Sequence, residues 1–395
     1  MSAEIADIVR DCLLQMVIPN HLRKVLTNIK NCRTAKLGVH KHVHCDNPDC
    51  EYETELFNSC RDRNCPKCQG SKRLKWVSKR LDDVLPINYF HVVFTIPSIL
   101  RKLFKYNKKL CYSMLFKAVS YTLNSVSATN KKLKAKIGFI AILHTWTQLL
   151  HFHPHIHCII SGGGISLDRT KWKSCNDNYF LPQKVLSLVF RGKLLNLIEQ
   201  ANKKGLLKYP NIEEESNKEY LNNFTATLKK ASRCNWVIYT KKAFGGPTGV
   251  INYLGNYTHR IALSNKRIIS YKNGKVTFSW KDRADGNKKK FETLSSMDFM
   301  QRYIFHILPE RFVKIRYYGF LASAKRKENL KLCKKLIDES GIEKQEINRK
   351  VKEGLEEEIR LLTEPNICPC CKKGLLVDGS GVNNEPLSEQ KIRAG

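Results

Sequence analysis

The chain has 395 residues, and 69 lysines and arginines against 36 acidic residues leave a formal charge of +33. Self-repulsion at that charge disfavours a solitary compact protein and asks for a polyanionic partner, nucleic acid first. A membrane is excluded as that partner, since no apolar stretch reaches spanning length and no strongly amphipathic basic helix occurs.

From the N-terminus, Glu4, Asp7, Arg10 and Asp11 interrupt the chain before an export signal could develop, so a cytoplasmic location is expected. In that reducing compartment the fifteen cysteines read as metal ligands rather than as a disulfide framework. Cys45, Cys50, Cys60, Cys65 and Cys68 lie in a polar, loop-like stretch, with Cys32, His40, His42 and His44 just upstream. Cys65-Pro66-Lys67-Cys68 is a knuckle with two intervening residues, and Cys45 and Cys50 form a looser one with four. Two such knuckles fold over one tetrahedral zinc, which substitutes for a core too small to hold itself together. The expected ligands are Cys45, Cys50, Cys65 and Cys68, with Cys60 and Cys32 in reserve for a second ion or for packing.

After a basic helix-like run at 71–81, the β-branched and aromatic residues of 89–97 predict a strand closed by Pro97. A helix is expected over 100–124. The runs 137–147 and 154–160 then predict two strands joined tightly as a hairpin. In the second, His153-Pro154-His155-Ile156-His157-Cys158 places histidines at every other position, so all three imidazoles point to one face. Two imidazoles held rigidly on one face make half of a divalent-metal site. A hairpin centred near Leu150 and His151 sets His144 opposite His157, which makes His144 the expected third ligand and Gln148 the alternative.

A strand at 236–240 and a turn through Gly245-Gly246-Pro247 lead to a helical segment with Tyr253 and Tyr257 one turn apart on a single face. Asn256, His259 and Arg260 flank them without a broad apolar stripe. Asn273-Gly274 signals a hairpin between 267–271 and 275–280. An amphipathic helix at 297–308, a basic aromatic strand at 312–320 and helices at 322–337 and 344–362 follow. On the strand, Arg316 and Tyr317 suit stacked bases and phosphates of single-stranded nucleic acid, or equally an ordinary half-buried strand. Cys368 and Cys371 repeat the knuckle spacing near the C-terminus, a half-site that needs ligands from elsewhere, with Cys32 and Cys60 as candidates. The expected organisation is a zinc-binding DNA-recognition domain at 1–85, a catalytic domain at 86–345, and a charged helix with a cysteine-containing tail at 346–395.

A divalent ion on His155 and His157 would polarise a phosphodiester while a tyrosine attacks phosphorus in line. Paired tyrosines permit two successive strand transfers. At this point the motifs resemble those of the two-tyrosine HUH transposases of rolling-circle insertion sequences, of the IS-ninety-one and common-region type. The resemblance rests on His144-Thr145-Trp146 with His153-Pro154-His155-Ile156-His157-Cys158, on Tyr253-Leu254-Gly255-Asn256-Tyr257-Thr258-His259-Arg260, and on Asn58-Ser59-Cys60-Arg61-Asp62-Arg63-Asn64-Cys65-Pro66-Lys67-Cys68. Tyr89-Phe90-His91-Val92-Val93-Phe94-Thr95 and Lys314-Ile315-Arg316-Tyr317-Tyr318-Gly319-Phe320 also fit. The first knuckle departs from the pattern, with four residues between its cysteines where two are expected.

The resemblance implies an α+β fold: an HUH domain with a central antiparallel sheet flanked by helices, preceded by a small cysteine-rich zinc domain. It implies cleavage and joining of single-stranded DNA at element ends with Mg2+ or Mn2+ and structural Zn2+, with host replication proteins as partners of a replicative route. His155 and His157 would be metal ligands, Tyr253 and Tyr257 nucleophiles, and Arg260 a DNA contact. A relaxase or rolling-circle replication initiator would use the same chemistry on an origin. A non-catalytic zinc DNA-binding protein would leave the histidine strand and the tyrosine pair without a purpose.

Overall fold

The computed structural model describes residues 3–81, 83–176, 180–208, 224–242, 247, 249–250, 261–342, 344, 353–354, 357 and 367–379. Tyr253, Tyr257 and Arg260, with most of the helix expected at 344–362, lie outside the described residues.

The chain begins with α1 (Ile5–Cys12) and α2 (Asn20–Asn31), neither expected from sequence. Helix α1 buries Ile5, Ile8, Val9 and Cys12, the spacing of one helical stripe. Asp7 accepts the Glu4 backbone N–H at 2.9 Å and closes its first turn. Strands β1 (Val39–Cys45) and β2 (Glu53–Phe57) form an antiparallel hairpin, and α3 (Pro66–Leu81) follows.

Strand β3 (Tyr89–Thr95) enters the main sheet where sequence places it. The helix expected next is two, α4 (Arg101–Tyr106) and α5 (Lys108–Thr129), because Asn107 leaves helical geometry at φ −118°, ψ 39°. Its buried amide donates to the carbonyls of Leu103 and Lys208 and accepts from the Lys208 N–H at 2.6 Å, so tertiary bonding fixes the break. Strands β4 (Ala135–Trp146), β5 (Phe152–Ser166) and β6 (Trp172–Ser174), helices α6 (Gln183–Lys203) and α7 (Phe224–Arg233), and strand β7 (Ile238–Lys242) continue the body.

A second antiparallel sheet follows, of β8 (Ile268–Lys272), β9 (Lys275–Asp282) and β10 (Lys288–Ser295). Its first turn is the expected Asn273-Gly274, both residues at positive φ. Strand β10 was not legible, since Lys288-Lys289-Lys290 looks like a solvated loop. Helix α8 (Ser296–Ile304) is capped by Ser295 Oγ, which accepts the Asp298 N–H. Strand β11 (Ile315–Gly319) returns to the main sheet, α9 (Arg326–Glu339) covers it, and β12 (Leu376–Asp378) pairs with β1.

The main sheet has the order β11-β4-β5-β3-β7, every pair antiparallel, with β6 on β5. This is the expected α+β class. Period-two alternation divides its faces. Phe90, Val92, Phe94, Phe139, Ala141, Ile156 and Cys158 pack against α4, α5 and α6 in the largest core. Fully burying each of the larger of these side chains stabilises by roughly 1.5–3 kcal/mol. The opposite face carries the histidines, with Ile140, Ile142 and Ile159 covered by Leu330, Cys333 and Leu336 of α9. Gly319, at φ 63°, lets the end of β11 pass the Ile137 carbonyl; an ideal Cβ there would lie 1.6 Å from that oxygen. No helix among the described residues is long and apolar enough to cross a membrane.

Candidate metal centres

His144 on β4 and His155 and His157 on β5 come together, one ligand nitrogen from each lying within 4.8 Å of the others. The pairing differs from expectation. His144 faces His155 and Ile142 faces His157, two residues away from the register that set His144 opposite His157. The cause is the connection: Thr147 N–H donates to His151 O, Leu150 N–H to Thr147 O, Leu150 takes φ 60°, and the ladder is irregular between His144 and Trp146. Because the slip is two residues, the imidazoles keep their common face.

Neighbouring groups fix how these rings present themselves. His155 Nδ1 lies 2.6 Å from the His153 carbonyl and so carries its proton there, leaving Nε2 as the donor atom. His157 Nδ1 lies 2.9 Å from His91 Nε2 on β3, in stacked rings with centroids 5.2 Å apart. Trp146 stacks on His144 at 4.6 Å. Burial pushes His155 and His91 down to about 4, so both are neutral at neutral pH and do not repel a cation. His153 bonds Arg101 through Nδ1 at 2.9 Å and stands outside the trio. His91 is the positioning residue that sequence reasoning did not single out. Its signal was available, since β3 alternates and His91 shares the less buried face with Val93 and Thr95.

The hairpin tip beyond the histidines is tied down. Arg267 donates to Gln148 O at 2.6 Å, Arg302 to Leu149 O at 3.1 Å, and His306 Nε2 to Leu150 O at 2.9 Å. His306 Nδ1 also meets Thr145 Oγ1. Val250 is buried among Ile140, Ile142 and Ile159. Ile261 and Ala262 line a cavity with Trp146, Arg63, His306 and Lys314.

The cysteines form two four-thiol groups, and their partners differ from those expected. Cys65 and Cys68 join Cys32 and Cys60, while Cys45 and Cys50 join Cys368 and Cys371. The hairpin is the physical reason. Val39 pairs with Phe57 at its base, which brings the flanking Cys32 and Cys60 together, whereas Cys45 and Cys50 sit at its tip. About 20 Å of strand separates the two ends. Sulfurs about 2.3 Å from a tetrahedral zinc stand roughly 3.8 Å apart. Cys32–Cys68 and Cys45–Cys371 measure 3.6 Å, and Cys60–Cys68 and Cys50–Cys368 measure 3.8 Å. Backbone N–H groups of Gly374 and Lys373 pull the Cys371 thiol down to about 6. Both donor sets therefore fit zinc in number, softness and spacing.

Arg316 and Tyr317 lie on the half-buried strand β11. The Arg316 guanidinium stands 4.2 Å from the Phe116 ring centroid and 5.3 Å from that of Phe312. The guanidinium groups of Arg80 and Arg326 stand 5.9 Å and 5.6 Å from the Tyr317 ring centroid. Both side chains are half-buried beside these partners.

Two family models match this chain: one described as "Putative transposase" over residues 138–329, and one described as "Transposase zinc-binding domain" over residues 5–96. "Putative transposase y4qJ" of Sinorhizobium fredii is 40% identical over 360 residues, covering 90% of this chain and 88% of its own. "Transposase for insertion sequence element IS801" of Pseudomonas savastanoi pv. phaseolicola is 27% identical over 314 residues, 76% of this chain and 70% of its own. No solved structure matches. The first match spans the histidine trio, the tyrosine pair and β11, the second spans six of the clustered cysteines, and the whole-length similarity joins them: the chain belongs to the two-tyrosine transposases of IS-ninety-one type insertion sequences.

Proposed function

We propose that the chain cleaves and rejoins single-stranded DNA at the ends of an insertion sequence through 5′-phosphotyrosine intermediates, in an HUH-type catalytic domain. The observation that carries this reading is the convergence of His144, His155 and His157 on one sheet face, with the Nδ1 atoms of His155 and His157 already engaged. Tyr253 and Tyr257, four residues apart within the span matched by the transposase family model, are assigned as the nucleophiles. A divalent cation held by the three imidazoles would supply Lewis-acid neutralisation of the phosphate oxygens. Imidazole donors prefer transition ions to magnesium, so Mn2+ is expected to serve better than Mg2+.

The remaining work falls to the chain. His153, through its carbonyl, and His91, through Nε2, hold the two β5 imidazoles in place. The phenol oxygen of Tyr253 or Tyr257 loses its proton and attacks phosphorus; the P–O3′ bond breaks and the departing 3′ oxygen takes up a proton. The ester bond energy is kept, so a 3′ hydroxyl can reverse the step. With two tyrosines, one holds an end while the other receives the next. The cysteine module and the +33 charge are assigned to holding the DNA.

The test is a covalent adduct between the purified chain, with manganese, and a single-stranded oligonucleotide carrying an element end. Gel mobility would be compared among wild type, Tyr253→Phe, Tyr257→Phe and the double variant. The adduct should vanish in the double variant and in chelator. An undiminished adduct in either condition would overturn the corresponding assignment.

A further inference from the structure

The second thiol group draws on both ends of the chain. Cys45 and Cys50 come from the tip of the β1–β2 hairpin, and Cys368 and Cys371 from a turn more than 300 residues later. That turn is built like a knuckle. Cys368 N–H donates to Gly374 O at 2.8 Å, Lys372 adopts φ 58°, and Gly374 N–H points to Cys371 Sγ at 3.3 Å. An ideal Cβ on Gly374 would stand 2.5 Å from Cys45 Sγ, so the close approach of the two ends requires glycine there.

Among the described residues, what surrounds this group is thin. Strand β12 has three residues, paired with β1 at Val43, His44 and Cys45. Lys41 and Asp378 form an ion pair at 2.8 Å that is partly exposed, worth little by itself. Val43, Cys45 and Cys368 are buried, yet none of them belongs to any of the three apolar cores. A three-residue strand outside the apolar cores gains little from packing, whereas four thiolates closing on one ion supply folding energy directly.

We propose that Cys45, Cys50, Cys368 and Cys371 bind a second structural zinc ion, which fastens residues 367–379 to the hairpin of β1 and β2. This site is separate from the one at Cys32, Cys60, Cys65 and Cys68, and it is incomplete in any chain that stops before Cys368. The N-terminal module is therefore not self-contained: the hairpin tip folds only with the C-terminal knuckle. Cys370, exposed between the two ligands of that knuckle, takes no part.

Zinc content of the full-length protein, measured by elemental analysis and native mass spectrometry, tests this. Wild type and Cys370→Ser should carry the same number of zinc ions per chain, and the Cys368→Ser/Cys371→Ser double variant one fewer. Alkylation of wild type by iodoacetamide, mapped by mass spectrometry, gives a readout that needs no variant to fold. Cys370 should react at once, and Cys45, Cys50, Cys368 and Cys371 only after chelator. A zinc content in the double variant equal to that of wild type, or Cys368 and Cys371 alkylated as fast as Cys370 in zinc-loaded wild type, would overturn the site. Both readouts are independent of DNA cleavage, so they stand or fall apart from the proposed activity.

Discussion

His91→Phe isolates the role of a residue that contributes no ligand atom. The substitution keeps an aromatic ring on β3 beside His157 and removes the ring nitrogens, among them the one that meets His157 Nδ1 at 2.9 Å. His157 then loses the partner that fixes its tautomer and orientation. Loss of such an outer partner costs about tenfold to 100-fold in metal affinity, equivalent to about 1.4–2.7 kcal/mol. Thermal stability should change little, because buried ring area is retained. Because burial already holds His91 neutral, pushed down to about 4, no charge is removed at neutral pH and a change in affinity does not report a lost charge. Titration of Mn2+ followed by electron paramagnetic resonance at pH 7.5 measures the effect, with His91→Asn as a partial rescue. A Kd within twofold of wild type in His91→Phe would refute the positioning role.

Other consequences are as specific. His306 is buried and pushed down to about 4, below the roughly 6.5 of an unfolded histidine. The unfolded chain therefore binds a proton that the fold refuses between those values, so stability is held above pH 6.5 and lost as pH falls toward 4. The Tm drop from pH 7 to pH 5 should be smaller in His306→Asn, and equal drops would contradict the assignment. Gly319→Ala forces a Cβ toward the Ile137 carbonyl at a positive φ and should destabilise by more than about 3 kcal/mol in urea unfolding; a loss below about 1 kcal/mol would be inconsistent with this backbone contact. Arg316→Ala should lower stability by about 1–2 kcal/mol, through its two aromatic contacts. Its affinity for single-stranded DNA should stay within twofold of wild type, and a tenfold loss would restore Arg316 as a DNA contact.

How far the sequence reaches depends on whether a feature is decided locally. The shared face of His153, His155 and His157 follows from period-two alternation, and the Asn273-Gly274 turn follows from residues suited to positive φ, so both were legible. The register of His144 was not, because the tip of its hairpin is held by Arg267, Arg302 and His306, which lie more than a hundred residues downstream. Cysteine partnership failed for the same kind of reason. Proximity in sequence favours Cys45 and Cys50 with Cys65 and Cys68, but the intervening hairpin carries its tip away from its base and toward Cys368 and Cys371. Asn107 breaks a helix through bonds to Lys208, a partner invisible to local propensity. Arg316 and Tyr317 suit by composition either nucleic-acid contacts or a half-buried strand, and only tertiary packing shows which rings and guanidinium groups stand beside them.

The central claim is that a tyrosine of the pair becomes covalently joined to a DNA 5′ phosphate. Mass spectrometry of the protease-digested adduct tests it most directly. The account predicts a nucleotide mass on the peptide containing Tyr253 or Tyr257, fragmenting as a 5′-phosphotyrosine, and a released strand ending in a free 3′ hydroxyl. Nucleotide mapped to any other residue, or a tyrosine joined through a 3′ phosphate, would contradict it.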